Sequence, residues 1–145
     1  MKLPIHFPDI LSLIPQSPPF VFVDTLHRSD NSMALATYLP RPDVPFFADG
    51  RVPAEIMLEM MAQTGALQQG YMALLRNNPK PKGFIASIDK ARFENLSVLG
   101  QTLEIHFHLR SVHGLISVAE AQVYQRGIFL AEAIFKIFCV EGSPF

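Results

Sequence analysis

The rhythm of hydrophobic and polar positions changes along the chain, and each change marks a different element. Asp9 to Ile14 suits one short helix, stopped by Pro15, Pro18 and Pro19. Phe20-Val21-Phe22-Val23 opens a strand. Met33 to Leu39 alternates as a second strand after the turn residues Ser29-Asp30-Asn31-Ser32. Pro40, Pro42 and Pro45 make the stretch from Pro40 to Gly50 an irregular loop. A helical period then takes over. Pro53 suits a first turn, where its missing N–H would have no partner, and the strong helix formers Glu, Met, Leu, Ala and Gln follow. Asn77-Asn78-Pro79 ends the run. Ile56, Met60, Leu67, Tyr71 and Leu74 line one side and Met57, Met61, Met72 and Leu75 another, so this helix should lie buried.

The rest of the chain alternates with a period of two. Phe84 to Phe93, Leu103 to Arg110, Leu115 to Gln125 and Ile128 to Val140 read as consecutive strands, the last two joined by a tight turn at Arg126-Gly127. The order strand, strand, buried helix, antiparallel meander predicts an α+β fold in which a sheet curls around one central helix. No repeat or linker divides residues 1–145, so a single domain is expected.

Composition narrows the function classes. The chain is 49% hydrophobic and 17% charged, which excludes a disordered segment, and its formal net charge of −1 gives no field for gripping nucleic acid. Cys139 is the one cysteine and reads as a small core residue, with no internal disulfide possible. The longest apolar stretch, Pro53 to Leu75, is broken by Glu55, Glu59, Gln63, Gln68 and Gln69, which argues against a membrane span. A cytoplasmic protein is expected.

Glu59 carries the most information. A carboxylate inside the most apolar helix is expensive unless it is paired, protonated or used. Glu55, Glu59 and Gln63 are spaced four apart and form one polar stripe, continued by the small residues Ala66 and Gly70. The stripe either faces solvent or a partner, or it turns Glu59 into a pocket where it moves protons; the pattern alone supports both. At the helix start, Asp49-Gly50-Arg51-Val52 runs into Pro53. The free N–H groups of Ala54, Glu55 and Ile56 are placed there to polarise a carbonyl. His106 and His108 sit two apart on a polar strand face without a third ligand at metal spacing, so no metal and no cofactor are expected. Lys80, Lys82, Lys90 and Arg92 form a basic cluster where an acidic carrier protein could dock.

Several motifs together resemble the 3-hydroxyacyl-acyl-carrier-protein dehydratases, a hotdog-fold family. Ile14-Pro15-Gln16-Ser17-Pro18-Pro19-Phe20-Val21-Phe22-Val23-Asp24 is similar to the family's Leu-Pro-His-x-x-Pro-Phe-x-x-Val-Asp. Pro45-Phe46-Phe47 resembles the loop ahead of its helix, and Glu59-Met60-Met61-Ala62-Gln63-Thr64-Gly65 its Glu-x-Met-Ala-Gln-x-x-Gly. Ile88-Asp89-Lys90-Ala91-Arg92-Phe93 resembles its next strand, and Val98-Leu99-Gly100 the turn after it.

The resemblance implies a hotdog fold, Glu59 at the catalytic acid position, an acyl tunnel beside the helix, and an active site shared between two subunits. Its partners would be an acyl-carrier-protein or coenzyme A thioester and a second hotdog chain, in a homodimer or a heteromer. The family pairs the carboxylate with a histidine, but Gly50-Arg51-Val52-Pro53 stands where the family has Gly-His-Phe-Pro, and Gln16 replaces another histidine. An arginine cannot act as a base there. The short loop is closer to a divergent branch associated with aryl-polyene biosynthesis. That branch often carries a histidine later on the helix, where Gln68 is the nearest residue.

Three readings follow. A dehydratase would use Glu59 with a substitute base, Asp49 or a water held by Gln63. A thioesterase would use Glu59 to activate water. A non-catalytic subunit would bind acyl chains beside a complete hotdog partner. Phe47, Gly50, Arg51, Ala54 and Met60 are the substrate-binding candidates, with Met57 and Met61 as further tunnel walls.

Overall fold

In a computed structural model of the chain, residues 1–47 and 49–140 are described. They form a seven-stranded antiparallel sheet packed around one long helix, the hotdog arrangement expected from the sequence. The strands are β1 (Ile5–His6), β2 (Thr25–Ser29), β3 (Met33–Tyr38), β4 (Gly83–Phe93), β5 (Leu103–His113), β6 (Ile116–Gln125) and β7 (Ile128–Cys139). The helix, α1, runs from Ala54 to Leu75, and a short 3-10 turn covers Asp9–Ser12.

Sequence and structure part company in two places. Phe20 to Val23 is not a strand, and the brief β1 pairs with β2 ahead of it. The backbone there is committed elsewhere: the Phe22 N–H donates to Gln63 Oε1 at 2.7 Å, and the Phe20 carbonyl accepts from Gln63 Nε2 at 2.8 Å. A helix side chain thus takes the place of a neighbouring strand. The second difference is topological. The sheet order is β1-β2-β3-β5-β6-β7-β4, so β5, β6 and β7 form a meander while β4 crosses to the far edge beside β7. Local alternation makes β4 a strand but says nothing about which neighbour it takes.

Small residues under the helix decide how closely the sheet approaches it. Ala34, Ala36, Ala119, Ala121, Ala131 and Ala133 are all buried on the face toward α1. Leu103, Ile105 and Phe107 of β5 fill the core between them. The β6–β7 turn holds Arg126 at φ 55° and Gly127 at φ 75°, the left-handed pair that a two-residue hairpin of matching twist requires. The helix packs on β2, β3, β5 and β6 but makes little contact with β4. Apolar side chains of β4 are left open as a result: Phe84 is 59% exposed, Ile85 44% and Phe93 41%. Among the described residues, no helix is long and apolar enough to cross a membrane.

Candidate active site

The stripe Glu55, Glu59, Gln63 descends from solvent into the protein. Glu55 is exposed, Glu59 half-buried and Gln63 fully buried. Gln63 spends its amide on three partners: besides Phe20 and Phe22, its Nε2 donates to Glu59 Oε1 at 3.0 Å. The loop 20–22 therefore fixes Gln63, and Gln63 fixes the carboxylate. Two parts of the chain far apart in sequence set one side-chain orientation.

Glu59 borders a cavity of about 640 Å³. On the helix side the wall continues through Ala62, Gly65, Ala66, Gln69 and Gly70, all on the face below Glu59. At the helical rise of about 1.5 Å per residue, Glu59 and Gly70 are about 16 Å apart along the axis. The opposite wall is Phe107, Phe135 and Ile137, with Ser117 and Cys139 at the end remote from Glu59. Burial raises the Cys139 thiol above its ordinary pKa, so it sits there as a neutral, unreactive group. Leu13, Pro15 and Gln16 close one flank, and Lys80 and Lys82 stand at the rim.

Two glycines keep this groove tight. A Cβ at Gly70 would lie 2.1 Å from the Leu13 carbonyl oxygen, and one at Gly65 would lie 2.7 Å from the Phe107 ring. The helix can approach the 3-10 turn and β5 only because those side chains are absent.

The other residues singled out from the sequence lie elsewhere. Phe47 and Met60 are buried in the core with Met57 and Met61, so none of them forms the cavity wall. Asp49, Gly50, Arg51 and Ala54 are exposed at the helix entry. Gly50 takes φ 71°, and Arg51 Nη1 donates to the Ser97 carbonyl at 3.0 Å while the Val52 N–H donates to Ser97 Oγ at 2.8 Å. Arg51 thus pins the entry loop to the segment before β5. The Ile56 N–H is used within the first turn, donating to the Pro53 carbonyl at 3.1 Å, while the Ala54 and Glu55 N–H groups have no backbone partner among the described residues.

None of the five histidines lines the cavity. His6 and His27 hydrogen-bond Thr25 and Thr37, and His106 lies edge-on to Tyr124 at 5.3 Å. The basic cluster also divides. Arg92 is bound to Glu94 and Glu132 at 2.7 and 2.9 Å and lies over the Phe129 ring, while Lys80 and Lys82 face the cavity mouth. Most of the cavity wall, with Gly65, Phe107, Phe135 and Ile137 among it, was missed by sequence reading. The small residues Ala66 and Gly70 that continue the Glu59 stripe signalled its helix side; nothing signalled the strand side.

The site is thus a half-buried carboxylate held by a buried amide beside an apolar groove. Residues 8–143 match the ApeP-like family, described as ApeP dehydratase. The chain belongs to the ApeP-like dehydratase family. Among its relatives is the 3-hydroxyacyl-[acyl-carrier-protein] dehydratase FabZ of Deinococcus radiodurans, 32% identical over 111 residues, which cover 75% of this chain and 76% of the relative. FabZ of Pelotomaculum thermopropionicum is 32% identical over 133 residues, 86% of this chain and 91% of the relative. The dehydratase heterocomplex ApeI:P of Xenorhabdus doucetiae shares the fold with a TM-score of 0.84 at 18% identity, covering 97% of this chain and 93% of that one. A hypothetical thioesterase of Streptococcus pneumoniae, solved with coenzyme A, has the same fold at a TM-score of 0.66 and 11% identity, covering 79% and 86%.

Proposed function

We propose that this chain supplies the carboxylate half of a dehydratase acting on 3-hydroxyacyl thioesters, and that a second hotdog subunit supplies the base. One observation carries the proposal: Glu59 is oriented at the head of an acyl-sized cavity that no histidine reaches. In the dehydration, one group removes the proton on the carbon next to the thioester carbonyl. The other protonates the hydroxyl as it leaves, so that water departs and a carbon–carbon double bond remains. Glu59, as the acid, delivers that second proton. The subunit bringing the base would seat on the open edge of β4, beside the cavity wall formed by Gly83, Phe84 and Ile85. FabZ-type relatives and the ApeI:P heterocomplex support a carrier-protein substrate and a heteromeric partner.

Mass spectrometry of a 3-hydroxyacyl-carrier-protein tests this, with the chain alone, with a histidine-bearing hotdog partner, and with Glu59→Gln in each case. Water loss only in the mixture, abolished by Glu59→Gln, is expected. Full turnover by the chain alone would remove the partner from the mechanism. Release of free thiol instead of water would move the chain to the thioesterases.

A further inference from the structure

We infer that a second cavity, beside the segment that holds Gln63, binds a small organic cation: one protonated amine on a compact apolar body. This cavity measures about 260 Å³, lies between the loop after β3 and the segment ahead of β2, and shares no residue with the Glu59 cavity. Phe7, Pro18, Pro19, Val44 and Pro45 give it apolar walls, while Asp24, Arg41 and Asp43 are its charged groups. The group that calls for a ligand is Tyr38. It is 3% exposed, and Phe22 and Phe47 hold its ring at centroid distances of 6.1 and 6.4 Å. Its hydroxyl has no hydrogen-bond partner among the described residues, and the charges that bear on it, Asp24, Arg41 and Asp43, are those of this cavity. A buried hydroxyl left unpaired is costly, so one fixed against a cavity marks what enters it.

The charges decide which ligand fits. Asp24 Oδ2 accepts from the Leu39 N–H at 2.6 Å, but Oδ1 stands 3.9 Å from Arg41 Nη1, beyond hydrogen-bond range. The Asp24 side chain is 22% exposed, and burial pushes its carboxyl pKa up against the pull of Leu39 and Arg41. One oxygen of a shielded carboxylate is thus left without a donor, in the same cavity as an unpaired hydroxyl. An ammonium group carries hydrogens for both, since Asp24 Oδ1 and the Tyr38 hydroxyl oxygen each accept an N–H. Two carboxylates against one guanidinium leave the cavity a formal charge of −1, which a monocation balances and a carboxylate ligand would double. A cavity of roughly 150 Å³ holds benzene, so 260 Å³ takes a ring with a short amine arm. The segment from Phe20 to Val23 serves both sites. Its Phe20 carbonyl and Phe22 N–H hold Gln63, while Val21 and Val23 line the second cavity. A bound cation therefore braces the segment on which the orientation of Glu59 depends.

Titration calorimetry with phenethylamine, phenethyl alcohol and phenylacetate tests the site. The amine is expected to bind at least about tenfold more tightly than the alcohol, because hydrogen bonds to charged groups are the stronger. Asp24→Asn keeps an acceptor for the Leu39 N–H and should erase that preference. Tyr38→Phe should weaken amine binding about threefold without lowering the melting temperature, since it removes an unpaired buried hydroxyl. Hydrogen exchange locates the amine: slower exchange is expected at the amides of Phe20 to Asp24 and of Leu39. Protection of Gly83 to Ile85 instead would put the amine in the Glu59 cavity and overturn the second site. Equal binding of amine and alcohol would overturn it as well, as would tightest binding of phenylacetate, lost in Arg41→Gln. Nα-acetyl-lysine amide, which carries the same ammonium on a peptide, should bind more weakly than phenethylamine, because its amides would meet the proline walls. The reverse order would overturn the free amine as occupant in favour of a lysine side chain from a partner.

Discussion

The two sides of the sheet's long helix are built to different standards. Under β2, β3 and β5 the interface is closed: Leu26, Ala36, Ile105, Met60, Met61 and Leu67 are completely buried. Toward β4 and β7 the helix turns small residues and one carboxylate to a cavity, and β4 holds Phe84, Ile85, Ile88 and Phe93 in the open. A protein with enough apolar residues to close one side would close the other unless something else covered it. Among the described residues β4 is therefore an unfinished sheet edge, with apolar side chains on both of its faces. Such a strand is a template for another chain. Its register shifts lie between Ile85 and Ser87 and between Asp89 and Arg92, and the charged residues Asp89, Lys90 and Arg92 fall at the second, so the open apolar edge is chiefly the segment from Phe84 to Ile88.

The largest effect should come from spoiling that edge. Ile88→Arg places a charge on the helix-facing side of β4, beside the position of Phe135. Burying an unpaired charge costs several kcal/mol, so association should weaken by at least about 100-fold. Sedimentation velocity would show parent chains associated, with themselves or with a hotdog partner, and the variant dissociated at the same concentration. The unfolding free energy of the isolated variant should change little, because Ile88 is already 38% exposed in the single chain. A variant that associates as the parent does would place the interface elsewhere.

Along the cavity wall the tightest point is a backbone contact. Gly70→Ala drives a methyl group into the Leu13 carbonyl, and neither the helix nor the proline-bounded turn can yield cheaply. A loss of about 3 kcal/mol in denaturant unfolding is expected, at the upper end of overpacking effects. Gly65→Ala meets the edge of the Phe107 ring instead, which can rotate away, so about 1 kcal/mol should suffice. If Gly65→Ala costs as much as Gly70→Ala, the Phe107 ring is held as firmly as the Leu13 backbone, and the cavity side is rigid along its length.

How much of this was legible in the sequence follows from the range of each cause. The helix and five of the seven strands, β3 to β7, could be read because periodicity and turn residues are local. Asn77-Asn78-Pro79 and Arg126-Gly127 mark boundaries wherever they occur. Glu59 could be read because a carboxylate in an apolar helix is costly in any fold. The Phe20-Val21-Phe22-Val23 segment misled, because its pairing partner is Gln63, about forty residues away and on a helix. The cavity walls were hidden for a similar reason. Whether a methionine such as Met60 or a glycine such as Gly65 faces the acyl path depends on which way the helix is rotated over the sheet. Its nearly uniform apolarity does not encode that rotation.

The smallest predicted effect concerns the outer face of the sheet, far from both the closed core and the cavity. His27 on β2 hydrogen-bonds Thr37 Oγ1 at 2.8 Å, and its pKa is held below the ordinary value, chiefly by burial and then by the neighbouring His6, against an opposing pull from Glu104. A base with a lowered folded pKa is protonated first in the unfolded chain. Its contribution therefore begins to erode stability as the pH falls through about 6.5. The erosion levels off once the pH lies below the folded pKa. His27→Gln keeps a partner for Thr37 and removes the titration. The variant should be no more stable than the parent at pH 7.5 and should gain on it steadily toward pH 5 in parallel urea titrations. Curves that stay parallel across that range would show that His27 is protonated as readily in the folded chain as in the unfolded one. The outer face would then join the cavity rim as ordinary solvated surface, leaving the asymmetry of the molecule between its closed side and β4.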